Sequence, residues 1–167
     1  MDINYQPNEN LSLYGTLGLQ DAEYKNIPQI GLQQQADCAA SPINAGGGEG
    51  IITPDCNIAD PVRTPAFTAT VGASYDFPIG NSWNLTPSVN VRFVDDQQVG
   101  VSNNLGSFDD GYTLVNGGIA LSDDDGKWRA TLECKNCFDE AYSVSLLAGT
   151  VYSNEPVRWH AGLRRNF

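Results

Sequence analysis

Hydrophobic and polar residues alternate along much of the chain, most plainly over its last twelve residues, Pro156 to Phe167. Val157, Trp159, Ala161, Leu163, Arg165 and Phe167 fall on one side of an extended chain, and Arg158, His160, Gly162, Arg164 and Asn166 on the other. Side chains alternate across a strand, so this segment has one mostly apolar face and one polar, basic face. A strand of about ten residues with aromatics near both ends has the dimensions of a tilted transmembrane β-strand.

The same period recurs upstream. Met1 to Tyr5 reads as the tail of an earlier strand, and Gln6 to Asn10 as a turn. From Leu11 to Tyr24, Leu11, Leu13, Gly15, Leu17 and Leu19 oppose Ser12, Tyr14, Thr16 and Gly18. Between Pro65 and Phe77, Phe67, Ala69, Val71, Ala73, Tyr75 and Phe77 oppose a row of small polar residues. Trp83 to Asp95 follows a short turn, and Tyr112 to Leu121 places Val115, Ile119 and Leu121 on the apolar face. After the turn Ser122 to Gly126, Trp128, Ala130, Leu132, Cys134, Asn136 and Phe138 oppose Lys127, Arg129, Thr131, Glu133, Lys135, Cys137 and Asp139. Lys25 to Thr64, Asp95 to Gly111 and Glu140 to Glu155 read as loops. The expectation is an all-β, antiparallel chain of about six strands in hairpins, with short turns at one end and long loops at the other.

A half-exposed sheet in a soluble β-sandwich would alternate too. Two features favour a transmembrane β-barrel segment. Aromatics of the apolar face sit at strand ends: Tyr75, Phe77, Trp83, Trp128 and Phe167 at the turn end, Phe67, Phe93, Phe138 and Trp159 at the loop end. Two aromatic girdles around an aliphatic band suit a bilayer. The polar face carries Arg92, Lys127, Arg129, Glu133, Lys135, Arg158 and Arg164, charges that a water-filled lumen tolerates and lipid does not.

Composition narrows the classes. A net charge of −11 argues against a nucleic-acid partner, which needs a basic stripe. No run of about 18 apolar residues predicts a transmembrane helix. The start lacks the basic and apolar regions of a secretory signal, so the chain reads as a cytosolic soluble protein or as a piece of a longer secreted one.

Little points to catalysis or to a cofactor. Cys134 and Cys137 form a C-x-x-C, but on a strand residues i and i+3 point to opposite faces, so these thiols are not expected to meet. Cys38 and Cys56 share one long loop, and an oxidising compartment would favour a disulfide between them. Asp123-Asp124-Asp125-Gly126 lacks the spacing of a calcium loop and reads as a hairpin turn. Asp95-Asp96 and Asp109-Asp110 read as solvated acidic loops, the alternative being pairs that bind lipopolysaccharide cations. His160 stands alone, no nucleophile set or complete metal site is present, and an enzyme is not expected.

Gly126-Lys127-Trp128, Asn136-Cys137-Phe138-Asp139-Glu140-Ala141-Tyr142, Pro156-Val157-Arg158 and the terminal Phe167 together resemble the C-terminal end of TonB-dependent outer-membrane receptors. Thr64 to Thr68 and Tyr112 to Asn116 resemble upstream parts of the same family. Cys137 stands where the family has an aliphatic residue, Val157 intervenes between Pro156 and Arg158, and Arg165 takes a position often aromatic. The resemblance implies part of the wall of a 22-stranded barrel, without the N-terminal plug, in the bacterial outer membrane. It also implies uptake of a scarce small molecule such as a ferric siderophore or cobalamin, energised through TonB. Partners would be outer-membrane lipid, the preceding strands and the plug. The alternative is a secreted soluble β-sandwich binding module of the adhesin or lectin kind.

Overall fold

The computed structural model describes residues 1–23, 61–100, 107–147 and 150–166. These are all-β, and every strand pairing among them is antiparallel. The main sheet runs β1 (Asp2–Tyr5), β2 (Leu11–Leu19), β3 (Phe67–Tyr75), β5 (Trp83–Val94), β8 (Tyr112–Asp123), β9 (Trp128–Lys135), β12 (Arg158–Arg165), with β4 (Phe77–Ile79) also on β5. Strand neighbours are neighbours in sequence order except where short outer elements intervene. Such connectivity is what tight turns and returning loops produce.

The turn end is built as the sequence suggests. Gly80 and Gly126 adopt φ of 62° and 66°, open to glycine without a Cβ penalty, and each sits in a tight turn. Pro87 lies inside the central strand β5, where a missing N–H would ordinarily break the ladder. It falls between β5's pairing with β3, which stops at Ser88, and its pairing with β4, which starts at Leu85. The proline therefore occupies the one gap on that side.

The loop end departs from the expectation of plain loops. β6 (Gln97–Gln98) pairs with β7 (Phe108–Asp109), and β10 (Ser143–Leu147) pairs with β11 (Thr150–Ser153). The two hairpins are tied together. The Leu146 N–H donates to the Val99 carbonyl, and the Arg63 guanidinium donates to the Val144 carbonyl at 3.1 Å. Asp109 is not a solvated loop acid: it is buried and accepts the N–H groups of Ser143 and Gly111.

Burial follows this pattern. Val94 and Val99 are each 2% exposed, and Gln98, Ser107 and Asp109 are buried beside them at the loop end. On the sheet, by contrast, Val71 is 58% and Leu163 73% exposed. Among the described residues the sheet is a single layer, and no second sheet packs on its apolar face as a sandwich would require.

Candidate functional site

The pairing register sorts the strands into two faces, because directly opposed residues of an antiparallel pair point the same way. One row runs Ile3, Gly15, Val71, Val91, Val115; another runs Ala73, Val89, Gly117, Cys134, Trp159. Most apolar residues of the seven strands of the path thus share one face, Leu114 and Ala120 lying on the other, and Val115, Ile119 and Leu121 fall on it as expected.

Apart from Trp83 and Trp128, which share a row, the end aromatics of this face do not follow the hydrogen-bonded rows. At the loop end Phe67 stands opposite Asp95, Phe93 two rows nearer the turns, and Trp159 on the row of Val89. That descent is six residues over four strand steps. With about 3.4 Å per residue and about 4.8 Å between strands, the line of aromatics crosses the rows at roughly 45°. At the turn end Tyr75 lies one row beyond the Ser74–Ser88 pair, and Trp128 lies on the row of Asp123 and Trp83. This second line drops four residues over three steps, in the same sense, at roughly the same angle. Phe77 packs on Tyr75 with ring centroids 4.4 Å apart, and Phe67 on Phe93 at 5.7 Å. At the turn end the Arg165 guanidinium lies 4.8 Å from the Trp128 ring, so a cation on the apolar face is held against an aromatic π-face.

Arg92, Arg129, Glu133, Lys135, Arg158 and Arg164 all register on the opposite face. Lys127 lies just before β9, where the Asn166 N–H donates to its carbonyl, and its ammonium donates to Asp125 at 2.8 Å. That hydrogen bond lowers the Asp125 pKa and raises that of Lys127. Arg129 faces Arg164 and Lys135 faces Arg158 in register, so like charges oppose each other at both ends of the β9–β12 pair. Arg158 is balanced by Glu155 at 2.7 Å, and the Arg164 Nε donates to Asn166.

A neutral ladder crosses the polar face that the sequence reading did not identify. The Asn90 amide donates to the Tyr14 hydroxyl at 2.6 Å, the Asn116 amide to Asn90, and the Asn136 N–H to Asn116 at 2.9 Å. The Tyr14 ring lies over Gly72, where any Cβ would collide with it. The usable signal was the pair Asn90 and Asn116, amides near the middle of two successive strands and opposite each other in register.

The ladder ends at a hub. β9 stops at Lys135, and Asn136 turns the chain with φ of 50°. Its 6%-exposed side chain donates to the carbonyls of Glu140 and Glu155 and accepts the Glu140 N–H. Asp139, also at positive φ, accepts the Val157 N–H. Asn154 ties Tyr142 and Glu140 to the same point. Asn136 and Asp139, read as continuing the strand alternation, instead build the junction that leads into β12. Phe138 likewise leaves the strand and is 78% exposed in the turn. The turn also overturns the expectation for the C-x-x-C. Once the strand ends, opposite-face geometry no longer holds, and Cys134 and Cys137 form a disulfide with Cα atoms 5.5 Å apart. Cys38, Cys56 and Phe167 lie outside the described residues.

Two cavities open on the polar face. One, of about 440 Å³, is bordered by Tyr14, Ser88, Asn90 and Glu133; the other, of about 470 Å³ at the loop end, by Leu114, Tyr142, Val144 and Pro156. Asn116 and Lys135 border both. Among the described residues no three metal-ligating side chains converge.

No protein-family model matches the chain, and no curated protein matches it. Among solved structures, the fold is similar to that of BauA, the ferric preacinetobactin receptor from Acinetobacter baumannii, with a TM-score of 0.68 and 19% sequence identity. The match covers 98% of this chain and 21% of that one, so the chain spans about a fifth of the receptor's length.

Proposed function

We propose that the chain forms part of the wall of an outer-membrane uptake receptor of the siderophore-receptor kind. Its apolar face lies against lipid and its polar face toward a water-filled interior. The observation that carries this reading is the obliqueness of the two aromatic lines. Strands of membrane barrels tilt about 35–45° from the bilayer normal. Tilting this sheet by that amount brings both lines level with the membrane plane, one at each interface, where Trp and Tyr are favoured. A soluble sheet has no reason to stagger its aromatics by its tilt. The fold likeness to BauA supports the same reading.

On this reading further strands complete the barrel, a plug fills it, lipopolysaccharide meets the loop end, and TonB supplies the energy. The transported molecule is a scarce small ligand such as a ferric siderophore or cobalamin. All three tryptophans, Trp83, Trp128 and Trp159, register on the apolar face, so their fluorescence tests the assignment directly. In vesicles of brominated lipid, bromines near the carbonyl region quench their emission more than bromines at the acyl-chain ends, and aqueous acrylamide quenches it weakly. Quenching by acrylamide alone would refute the membrane reading and favour a soluble binding module.

A further inference from the structure

We propose that the loop-end cavity binds a small organic anion with an apolar or aromatic body, its charged oxygen meeting the Lys135 ammonium. This inference rests on the uptake reading and names the class of ligand it would take. The amides around the cavity are already committed, that of Asn116 to Asn90. The Asn136 amide is committed to the carbonyls of Glu140 and Glu155, and the Asn154 amide to the same two. Glu155 is neutralised by Arg158 at 2.7 Å. Among the described residues the Lys135 side chain makes no hydrogen bond or ion pair. The cavity therefore keeps one unanswered positive charge.

The rest of its wall suits a hydrophobic body. Leu114, Val144 and Pro156 supply apolar surface, and Tyr142 is held flat by stacking on Tyr112 with ring centroids 3.7 Å apart. About 470 Å³ accommodates a small organic molecule. Lys135 and Asn116 border both this cavity and the other, where Glu133 presents a negative charge. An anion is thus drawn to Lys135 and repelled on the Glu133 side, which places the binding position at the loop end.

The test uses the chain refolded in detergent micelles, with benzoate as probe and benzyl alcohol as its uncharged counterpart, titrated by calorimetry. Benzoate is expected to bind more tightly than benzyl alcohol. Lys135→Gln should weaken benzoate by about tenfold and leave benzyl alcohol unchanged, as loss of one charge contact predicts. Lys135→Arg should retain benzoate binding, and Lys127→Gln, in the turn at the far end of β9, should not affect it. Circular dichroism verifies that each variant folds; Lys135 is exposed, so none is expected to unfold. No binding, equal binding of the two probes, or equal benzoate affinity in Lys135→Gln overturns the proposal. Lipid quenching separates it from the reading beneath it. Lys135-dependent benzoate binding without lipid contact upholds the site and refutes the membrane wall, and lipid contact without benzoate binding does the reverse.

Discussion

Replacing Val71 with arginine tests the face assignment on which the function depends. Val71 sits in the row Gly15, Val71, Val91, Val115, four residues from Phe67 and four from Tyr75. At about 3.4 Å per residue and a tilt near 45°, each aromatic lies roughly 10 Å away along the membrane normal, which puts Val71 near the bilayer midplane. A lipid-facing arginine there costs about 2–4 kcal/mol. Since 1.4 kcal/mol is tenfold, the folded-to-unfolded ratio should fall by roughly 30- to 700-fold. Ser88→Arg is the matched control. It is exposed on the polar face of the next strand, opposite Ser74 and Gly118, and borders the same cavity as Glu133, which can pair with the new cation. Asn90 is a poorer control, because its amide holds Tyr14. The assay is urea titration of vesicle-embedded protein followed by tryptophan emission, with the midpoint and slope compared among wild type, Val71→Arg and Ser88→Arg. A large loss for Val71→Arg alone is expected. Equal tolerance would mean that the strand does not cross a bilayer, and a larger loss for Ser88→Arg would mean that the faces are exchanged.

Asn136→Ala should destabilise the loop-end junction by roughly 3 kcal/mol, since it orphans several backbone groups at a buried site and puts a Cβ-bearing residue without a polar side chain at positive φ. Limited proteolysis between residues 137 and 157 reads that loss, and unchanged resistance would contradict it. Gly72→Ala should drive the Tyr14 ring off its seat and cost about 1–3 kcal/mol. Combining it with Tyr14→Ser should recover most of the cost, and simple additivity in thermal melts would show that the two residues do not contact. Peptide mapping without reductant should recover Cys134 and Cys137 cross-linked within one fragment, and two alkylatable thiols would remove the disulfide from the account.

Local alternation alone determined the strands of the main sheet, their faces and the turn end. Period-two alternation is a local property: each residue's face follows from its neighbour's, and Gly80 and Gly126 mark tight turns through their own backbone freedom. The same alternation put Val115, Ile119 and Leu121 on the apolar face, where the register holds them, because a one-residue slip would have turned the whole of β8 outward. What the tertiary structure decided is where alternation stops and what the polar face does. Nothing near Asn136 announces that β9 ends at Lys135; the end is imposed by Asn116, twenty residues upstream, and by Glu155, nineteen downstream. The outer hairpins are joined by Arg63, Asp109 and Leu146, whose partners lie far along the chain. Lys135 gains its setting in the same way, from Tyr142, Val144 and Asn154 arriving out of a stretch that reads only as loop. A side chain's face is set by the residue beside it, but its hydrogen-bond partners are set by which strands the register brings alongside, and that register exists only once the sheet has formed.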